Sequence, residues 1–356
     1  MKIGIIGTGG IAKAHIRALG KLHALQLTGV YDINLESAQK VASENGCTVF
    51  ATPEQLIEAV DGVIIASPNF MHQEQSLLVL QANKHVLCEK PMAVSLDEAR
   101  TMSELAKQCS ASACVGFNYR YLPIIREIKR LLDNGEIGEL LAVKLGFQKS
   151  SALTKTSFTW RDDSTSKMTS GALGDLGVHL IDMLWFLLQG EIHEADLKTI
   201  MKTNVPIREN KTIHVDDYSA VYGKLKSGTY VELIASKSST QEETGVYLNL
   251  IGTKQELRYE SAWKRTYKIK QGIEWVEHSY DAPQTLTDPP NEIFGWSDSF
   301  IHQLQDWQLK ATRTPAHHNV CIADFRDGLR SQETLDMFIR NRVQPKKEEL
   351  RHVVLT

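Results

Sequence analysis

Cysteine pairs, long apolar runs and blocks of like charge are all missing from this sequence of 356 residues. The five cysteines are scattered and none lies in a Cys-x-x-Cys pair, so their spacing predicts neither a disulfide framework nor a zinc site, and we expect no bound metal. The longest apolar run, 183–188, is too short to cross a bilayer. Lysine and arginine total 40 against 43 aspartates and glutamates, a balance that favours no nucleic-acid or membrane partner.

The first residues carry a strand-like pattern rather than a leader. An apolar run begins directly after Met1 and Lys2, which leaves no room for the charged and apolar regions of a signal peptide. We therefore expect a cytoplasmic protein. A chain of this length also exceeds what one hydrophobic core usually supports, so two domains are expected.

The first 120 residues alternate between short apolar runs and helical patterns. Continuous Val, Ile and Leu runs joined by helices indicate strands buried on both faces, as in a parallel, doubly wound sheet of the Rossmann type. The predicted strands are 2–6, 25–31, 47–50, 62–66, 85–88 and 113–117, and the predicted helices are 11–22, 35–45, 53–59, 73–82 and 96–108. Residues 1–120 are therefore predicted to form an α/β domain.

The pattern changes after a connecting helix predicted at 123–134. Successive strands with few helices between them indicate a largely antiparallel sheet, so residues 121–356 are predicted to form an α+β domain that binds the substrate and mediates oligomerisation. Its predicted strands are 140–148, 195–202, 218–225, 229–236, 247–252, 256–259 and 267–269. Its predicted helices are 173–188, 299–311 and 322–341, and the polar segment 204–216 is interpreted as a loop.

A glycine-rich segment follows the first strand and reads Gly7-Thr8-Gly9-Gly10-Ile11-Ala12. It fits the Gly-x-Gly-x-x-Gly/Ala pattern, in which Gly7 allows a tight turn and Gly9 the close approach of a pyrophosphate. The N–H groups at the start of the following helix, where Gly10 and Ile11 lie, favour such an anion. Asp32, at the end of the second strand, would bind ribose hydroxyls and repel a 2′-phosphate, so NAD is expected rather than NADP. A glycine turn with an incidental aspartate is the alternative.

Two further segments follow strand ends, on the edge where such a sheet binds ligands. They are Ser67-Pro68-Asn69 with His72 close behind, after the fourth strand, and Glu89-Lys90-Pro91, after the fifth. We predict cofactor contacts for Ser67 through Asn69, for His72, and for Glu89 and Lys90. Taken alone, Lys90 is also typical of a solvated loop, and His72 of a helix cap or a surface position.

An apolar segment, 171–182, carries three ionisable residues, Asp175, His179 and Asp182. Asp175 and His179 are four residues apart, so on an α-helix they would share one face. Histidine exchanges protons near neutral pH and a neighbouring carboxylate can orient its ring, which suits acid–base catalysis. The segment alone leaves a buried structural Asp–His pair equally open.

Together these motifs resemble the glucose–fructose oxidoreductase and inositol dehydrogenase family of NAD(P)-dependent enzymes over essentially the whole sequence. The resemblance rests on the glycine segment at Gly7, Glu89-Lys90-Pro91, Gly116-Phe117-Asn118-Tyr119-Arg120, Trp160-Arg161 and Asp175-x-x-x-His179. Single motifs of this kind are common, whereas their order and spacing are specific. One departure is Ser170-Gly171-Ala172, where the family often has three glycines, and it puts the local loop shape in doubt.

The resemblance implies catalytic roles for Lys90, Asp175 and His179, which in the family meet beside the nicotinamide across the cleft between the domains. It also implies a cis peptide bond between Lys90 and Pro91. The residues that it implies near the nicotinamide or the substrate are Asn118, Tyr119, Arg120, Trp160 and Arg161.

The expected function is an NAD-dependent dehydrogenase that moves a hydride between the nicotinamide and a carbinol carbon of a sugar, a sugar derivative or a cyclic polyol. His179 would act as general base, Asp175 would orient it or bind the substrate, and Lys90 would stabilise charge on the oxygen. Two alternatives stay open: an NAD-using glycosidase of the same fold, and a non-enzymatic sensor of sugar or NAD. The presence of all three ionisable residues argues against the sensor.

Members of the family pair through an open sheet face, so we expect a homodimer or homotetramer formed through the C-terminal sheet. A small sugar-like molecule is the other expected partner. The sequence does not name that molecule, because specificity depends on cleft loops such as 150–170, whose shape residue types do not reveal.

Overall fold

The computed structural model describes residues 1–163, 171–188, 197–313 and 321–343. They form two compact units. The first unit consists of Met1–Arg126 with the described residues of Ala282–Glu333, and the second of the described residues of Glu127–Asp281 and Thr334–Thr356. The expected domain division into 1–120 and 121–356 stays a prediction. The first unit also contains the described residues of Ala282–Glu333, and no strand or helix pattern in the sequence predicts that these residues belong to it.

The first unit is built around a six-stranded parallel sheet. Its strands are β1 (Lys2–Ile6), β2 (Gln26–Tyr31), β3 (Thr48–Val49), β4 (Gly62–Ile65), β5 (His85–Cys88) and β6 (Ala113–Val115). The helices between them are α1 (Gly10–Leu19), α2 (Leu35–Asn45), α3 (Pro53–Ala59), α4 (His72–Gln81) and α5 (Leu96–Gln108). The strand order, β3-β2-β1-β4-β5-β6, is the doubly wound Rossmann arrangement, so the predicted α/β fold class is confirmed.

Burial and helix capping explain why these segments fold as they do. Every residue of β4 is buried, as expected for a central parallel strand that is covered on both faces. At the start of α3, the Thr52 side chain accepts a hydrogen bond from Gln55 N at 3.3 Å. Ser95 caps α5 in the same way, accepting from Glu98 N at 3.2 Å. Both caps agree with the sequence pattern, because a Ser or Thr precedes each helix.

The core of the second unit is an eight-stranded sheet, which α6 (Pro123–Asp133) precedes. The strands of this unit are β7 (Leu140–Gln148), β8 (Lys198–Lys202), β9 (Ile207–Arg208), β10 (Lys211–Thr212), β11 (Tyr218–Lys224), β12 (Tyr230–Ser236), β13 (Gly245–Gly252), β14 (Glu256–Glu260), β15 (Thr266–Gln271) and β16 (Glu274–Ser279). The large sheet has the order β16-β15-β14-β13-β7-β12-β11-β8, and only β7 and β12 run parallel within it. The predicted α+β class with a mostly antiparallel sheet is therefore confirmed.

Four more helices follow α6 among the described residues: α7 (Ser151–Thr154), α8 (Val178–Leu188), α9 (Trp296–Thr312) and α10 (Phe325–Arg340). α9 belongs to the first unit, and α8 belongs to the second. Within the described ranges, no helix combines the length and the apolar character that crossing a membrane requires.

Three sequence predictions about the second unit need correction. The segment 204–216 is not all loop, because β9 and β10 form a short hairpin around Glu209 and Asn210, which both adopt positive φ. β15 is longer than predicted, and its partner β16 was missed because its sequence lacks a clear apolar alternation. The predicted helix 173–188 starts with a π-helical turn at Leu173–Gly177.

Two predicted segments lie partly outside the described residues. These are residues 195–196 of the predicted strand 195–202 and residues 164–170 of the predicted specificity loop.

Candidate active site

Gly7 forms the turn between β1 and α1 in the first unit. Its φ is +91°, a conformation that residues with a side chain rarely adopt. A Cβ atom at this position would lie 2.7 Å from the Ala66 carbonyl carbon and from Ser67 N. The glycine segment therefore lies directly against the end of β4, as the predicted role of Gly7 in a tight turn requires.

The start of α1 is open on its outer side. A Cβ atom on Gly9 or Gly10 would meet nothing within 4 Å. Within the described residues, no side chain caps α1 and no acidic residue lies in its first turn. The N–H groups of the first turn, including that of Ile11, therefore face space where an anion would be favoured by the helix dipole.

Asp32 connects the end of β2 to the glycine segment. One carboxylate oxygen, Oδ2, accepts hydrogen bonds from Thr8 N and Thr8 Oγ1, both at 2.7 Å, and Oδ1 accepts one from Asn34 N at 2.8 Å. A carboxylate has about four acceptor positions, so it can still bind ribose hydroxyls. The protein thus holds Asp32 in place, beside the helix end that would bind the phosphates.

Asn69 is a buried amide whose hydrogen-bonding groups are unused. It follows Ser67 and Pro68 at the end of β4, and only 4% of its surface is exposed. Neither Nδ2 nor Oδ1 has a hydrogen-bond partner among the described residues. Because buried polar groups are normally paired, this amide fits a ligand group with both a donor and an acceptor. The open helix end and this amide together fit a bound dinucleotide.

His72 is buried and bridges two strand ends, so a surface role is excluded. Its Nδ1 lies 2.9 Å from Pro91 O and its Nε2 lies 3.1 Å from Ser67 O. Burial lowers the pKa of His72, although the two carbonyls act in the opposite direction. These contacts indicate that His72 positions the turns after β4 and β5, while its predicted cofactor contact stays a prediction. Ser67 Oγ in turn donates to Gln75 Oε1 at 2.6 Å.

A buried pair supports the turn that carries Lys90. His15 Nε2 lies 2.7 Å from Glu89 Oε1, and His15 and Glu89 are 0% and 4% exposed. The other Glu89 oxygen accepts a hydrogen bond from Lys90 N at 3.2 Å. Sequence analysis missed His15, which faces inward from α1 and stacks edge-on against Phe300. The Lys90–Pro91 peptide bond is cis, as predicted.

The segment Asn118–Tyr121 is a short 3₁₀ turn buried inside the first unit. Asn118 Nδ2 donates to Ser299 Oγ at 2.8 Å, and Arg120 contacts Cys321 O and Asp327 Oδ2 at 3.3 and 3.4 Å. Tyr119 is buried as well. The proposed substrate contacts of Asn118, Tyr119 and Arg120 stay predictions, and for Asn118 and Arg120 these internal contacts favour a structural role.

Asp175 lies in the π-helical turn at the start of the second unit's apolar helix. A buried carboxylate, Asp216, fixes this helix start by accepting hydrogen bonds from Gly171 N at 2.6 Å and Leu173 N at 2.9 Å. Regular α-helical spacing begins only at Val178, so Asp175 and His179 lie on either side of the junction between the π-helical turn and α8, and their shared face stays a prediction. π-helical turns are frequent at functional sites, and this one carries a predicted catalytic residue.

Lys237 is a charged partner of Asp175 that was not predicted from the sequence. It follows the last residue of β12, and its Nζ lies 2.9 Å from Asp175 Oδ2. The two side chains are only 15% and 27% exposed, so this ion pair is screened less by water than a surface pair. A lysine directly after a strand is a weak signal, because lysines are also common in exposed loops.

His179 and Asp182 are carried by α8 and are both buried, at 6% and 1% exposure. The ring centroid of His179 lies 6.0 Å from that of Phe147 on β7. A buried imidazole that packs against an aromatic ring has the chemistry to accept and release a proton when a substrate hydroxyl contacts it.

Trp160 and Arg161 lie in a 3₁₀ turn of the second unit, and the guanidinium carbon of Arg161 lies 4.4 Å from the centroid of the Trp160 ring. Arg161, Asp175 and Lys237 line one cavity of about 220 Å³. The structure thus brings a predicted substrate residue and a predicted catalytic residue together in this unit.

Comparison with known proteins extends these observations. A family model described as an oxidoreductase family with an NAD-binding Rossmann fold matches residues 1–117, and its companion, a C-terminal alpha/beta domain, matches residues 129–347. Glucose-6-phosphate 3-dehydrogenase of Bacillus subtilis is 46% identical over 338 residues, which cover 95% of each chain. An inositol 2-dehydrogenase/D-chiro-inositol 3-dehydrogenase of Shouchella clausii is 30% identical over 65% of this chain and 64% of its own.

Among solved structures, levoglucosan dehydrogenase in complex with NADH has the same fold, with a TM-score of 0.83 and 22% identity over 96% of each chain. The predicted family, the predicted oxidoreductase activity and the predicted cofactor are confirmed by these matches. The open start of α1, Asp32 and the unused Asn69 amide are the groups of this protein that fit NAD. The protein belongs to the oxidoreductase family whose members combine an NAD-binding Rossmann domain with a C-terminal alpha/beta domain.

Proposed function

We propose that this protein is an NAD-dependent dehydrogenase that oxidises C3 of glucose 6-phosphate. The observation that carries this proposal is the 46% identity, over 95% of both chains, to a protein named glucose-6-phosphate 3-dehydrogenase. Arg161 and Lys237 line the cavity beside Asp175, and such side chains favour the anionic phosphate of a sugar phosphate, although four acidic side chains line the cavity as well.

Three ionisable residues would carry the chemistry. Bound NAD supplies the acceptor for the hydride that leaves C3. His179 would take the proton of the C3 hydroxyl, so that the C–O bond becomes a carbonyl as the C–H bond breaks. Asp175, held by Lys237, would orient the substrate or the imidazole, and Lys90 would stabilise negative charge on the C3 oxygen.

The test is a substrate panel with NAD as oxidant. We expect NADH to form with glucose 6-phosphate and to form much more slowly with glucose, levoglucosan and myo-inositol. NMR of the product should show a keto group at C3 and an intact phosphate. Free phosphate, or a lactone from oxidation at C1, would contradict the proposed reaction, and activity with myo-inositol alone would replace it with a polyol dehydrogenase.

Self-association is proposed as well. On the strands of the large sheet, buried residues alternate with half-exposed ones that include Tyr218, Tyr230 and Tyr247. An aromatic-rich sheet face of this kind fits a homodimer or homotetramer. Light scattering should give a multiple of the 39.9 kDa chain mass, and Tyr247→Glu should lower the measured mass.

The expected cytoplasmic location stays a prediction, which cell fractionation would test.

A further inference from the structure

Charged residues make up more than half of the lining of the cavity that contains Asp175. Its volume of about 220 Å³ lies below the range of pockets that enclose whole ligands, so it suits one substituent of a larger molecule. Four basic and four acidic side chains line it, namely Lys155, Arg161, Arg208, Lys237, Asp162, Asp175, Asp216 and Asp217. The formal charges cancel. Which of these groups can bind a ligand therefore depends on the hydrogen bonds that each of them already makes within the protein.

Two of the cations are committed to one carboxylate. Asp162 accepts from Lys155 Nζ and from Arg208 Nη1, each at 2.5 Å. Arg208 also donates to the backbone carbonyls of Lys155 and Ala152, at 3.1 and 2.8 Å. Burial raises the pKa of Asp162, but hydrogen bonds from Lys155 and Thr159 outweigh it and hold the pKa below its ordinary value. This buried cluster builds the wall of the cavity and leaves one surplus positive charge there.

The acidic side chains of Asp216 and Asp217, which also line the cavity, are satisfied internally. Asp216 accepts the N–H groups that start the Asp175 helix, and its Oδ2 accepts from Ser219 Oγ at 2.7 Å. Asp217 accepts from Asn204 N and Val205 N, at 2.9 and 2.7 Å. The N–H and O–H donors that face these two carboxylates offset part of their negative charge, which weakens their repulsion of an anion.

Arg161 and Lys237 differ from these residues. Arg161 packs over the Trp160 ring, and its guanidinium has no carboxylate partner among the described residues, although it can donate five N–H groups. Lys237 pairs with Asp175 through one of its three N–H groups. The donors that a ligand would meet in this cavity are therefore those of Arg161 and Lys237.

We infer that the cavity is an anion subsite in which Arg161 and Lys237 bind the phosphate group of the substrate. This inference rests on the proposed function and adds the residues that bind the phosphate group. Guanidinium and ammonium groups form short, charge-assisted hydrogen bonds to phosphate oxygens, and a guanidinium can form two at once. Lys237 thereby joins phosphate recognition to Asp175, which is a predicted catalytic residue.

The experiment compares glucose 6-phosphate with glucose in the full-length protein. The readout is the ratio of the two kcat/KM values, because Lys237→Met also disturbs Asp175 and so lowers turnover of both substrates. Arg161→Met should lower this ratio about ten- to a hundredfold, and Lys237→Met should lower it in the same direction. Arg161→Lys should restore part of the ratio, because it keeps the charge and loses the bidentate geometry. Lys224→Met is the matched control, since it removes a charge from an exposed strand end of the same sheet and should not change the ratio.

A second measurement separates this inference from the proposed function. Calorimetric titration of glucose 6-phosphate into the NADH-loaded protein measures binding without turnover, and Arg161→Met should weaken it about tenfold or more. If the wild-type protein prefers glucose 6-phosphate but both variants keep the ratio and the affinity, the phosphate binds elsewhere and the inference is wrong while the function stands. If the wild-type protein shows no such preference, the function is wrong. The titration then decides the inference alone: unchanged affinity in Arg161→Met overturns it, and weakened affinity supports it.

Discussion

The glycine segment of the first unit and the charged cavity of the second unit both suit an anion, but they are built from different groups. At the start of α1 the groups are backbone N–H donors, and Gly9 and Gly10 keep the approach open. In the cavity the groups are the side chains of Arg161 and Lys237, which lie far apart in the sequence. A site made of backbone needs only a short local pattern, whereas a site made of side chains needs the fold to bring distant segments together.

This difference explains which functional features can be read from residues alone. A backbone site accepts the same shared part of a cofactor in many proteins, so its pattern is general. A side-chain site selects one substrate, and each of its members looks like an ordinary surface residue in the sequence. We therefore expect variants of the glycine segment to change NAD affinity and variants of His179 and of the cavity to change turnover or substrate choice.

The largest expected effect tests the expectation that variants of His179 change turnover and leave NAD affinity unchanged. His179→Ala should lower kcat about 10²- to 10⁴-fold, because it removes the proposed general base. The affinity for NADH, measured by fluorescence titration, should stay within about twofold of the wild-type value, since His179 belongs to the second unit. His179→Gln is the control, because it keeps a polar side chain in the buried position but cannot take up the proton at neutral pH.

Unchanged turnover in His179→Ala would show that another group takes the proton. Loss of NADH affinity with unchanged turnover at saturating cofactor would reverse the comparison, since His179 would then belong to the cofactor site.

An effect of intermediate size tests the expectation that variants of the glycine segment change NAD affinity. Gly9→Ala should weaken NAD binding about tenfold or more, because the added Cβ would occupy the open space at the start of α1. Gly9 has a φ of −70°, which alanine adopts readily, so the free energy of unfolding should change by less than about 1 kcal/mol. Gly7→Ala is the matched variant. It should lower the free energy of unfolding by roughly 1–3 kcal/mol, because alanine would be forced to positive φ against the end of β4.

Titration of NADH and urea denaturation of the two variants would measure both quantities. The comparison fails if Gly9→Ala binds NAD as tightly as the wild-type protein, because the open space would then not be where the pyrophosphate lies.

Much of the fold follows from local physics and could be predicted. β4 was predicted at 62–66 and is observed at Gly62–Ile65. A run of only a few apolar, mostly β-branched residues between turn residues is typical of a fully buried strand. The caps at Thr52 and Ser95 likewise depend on residues within one helical turn. The catalytic candidates Lys90, Asp175 and His179 were identified by motif order rather than by geometry, and their roles stay predictions.

The features that could not be predicted depend on partners distant in sequence. His15 looks like any helix residue until the fold places it 2.7 Å from Glu89. Asp216 lies in a polar segment, yet its carboxylate fixes the start of the Asp175 helix. The π-helical turn at Leu173–Gly177 also has no sequence signature of its own. In each case the sequence shows one partner of an interaction but does not show which distant residue it contacts.

The smallest expected effect concerns the pH dependence of stability. Burial lowers the pKa of His72 below its ordinary value near 6.5, so the folded protein resists protonation that the unfolded chain accepts. The contribution of His72 to the free energy of unfolding should therefore be constant above about pH 6.5 and fall as the pH drops below it. For one group the loss is at most about 1.4 kcal/mol per pH unit. Burial lowers the pKa of His85 as well, so the same direction is expected for both residues.

Urea denaturation of the NAD-free protein at pH 7.5 and pH 5.5 measures this loss, and His72→Gln should reduce it by about 1 kcal/mol. In the second unit, hydrogen bonds from Lys155 and Thr159 hold the pKa of Asp162 below its ordinary value, so its ion pairs with Lys155 and Arg208 should persist throughout this pH range. Acidification should thus weaken the first unit, where the buried His72 ring lies between the turns after β4 and β5, before it weakens the charged cavity. Hydrogen exchange at the two pH values would report the units separately. Faster exchange in the second unit alone, or an equal loss of stability in His72→Gln, would mean that the buried neutral His72 does not set the acid limit of this fold.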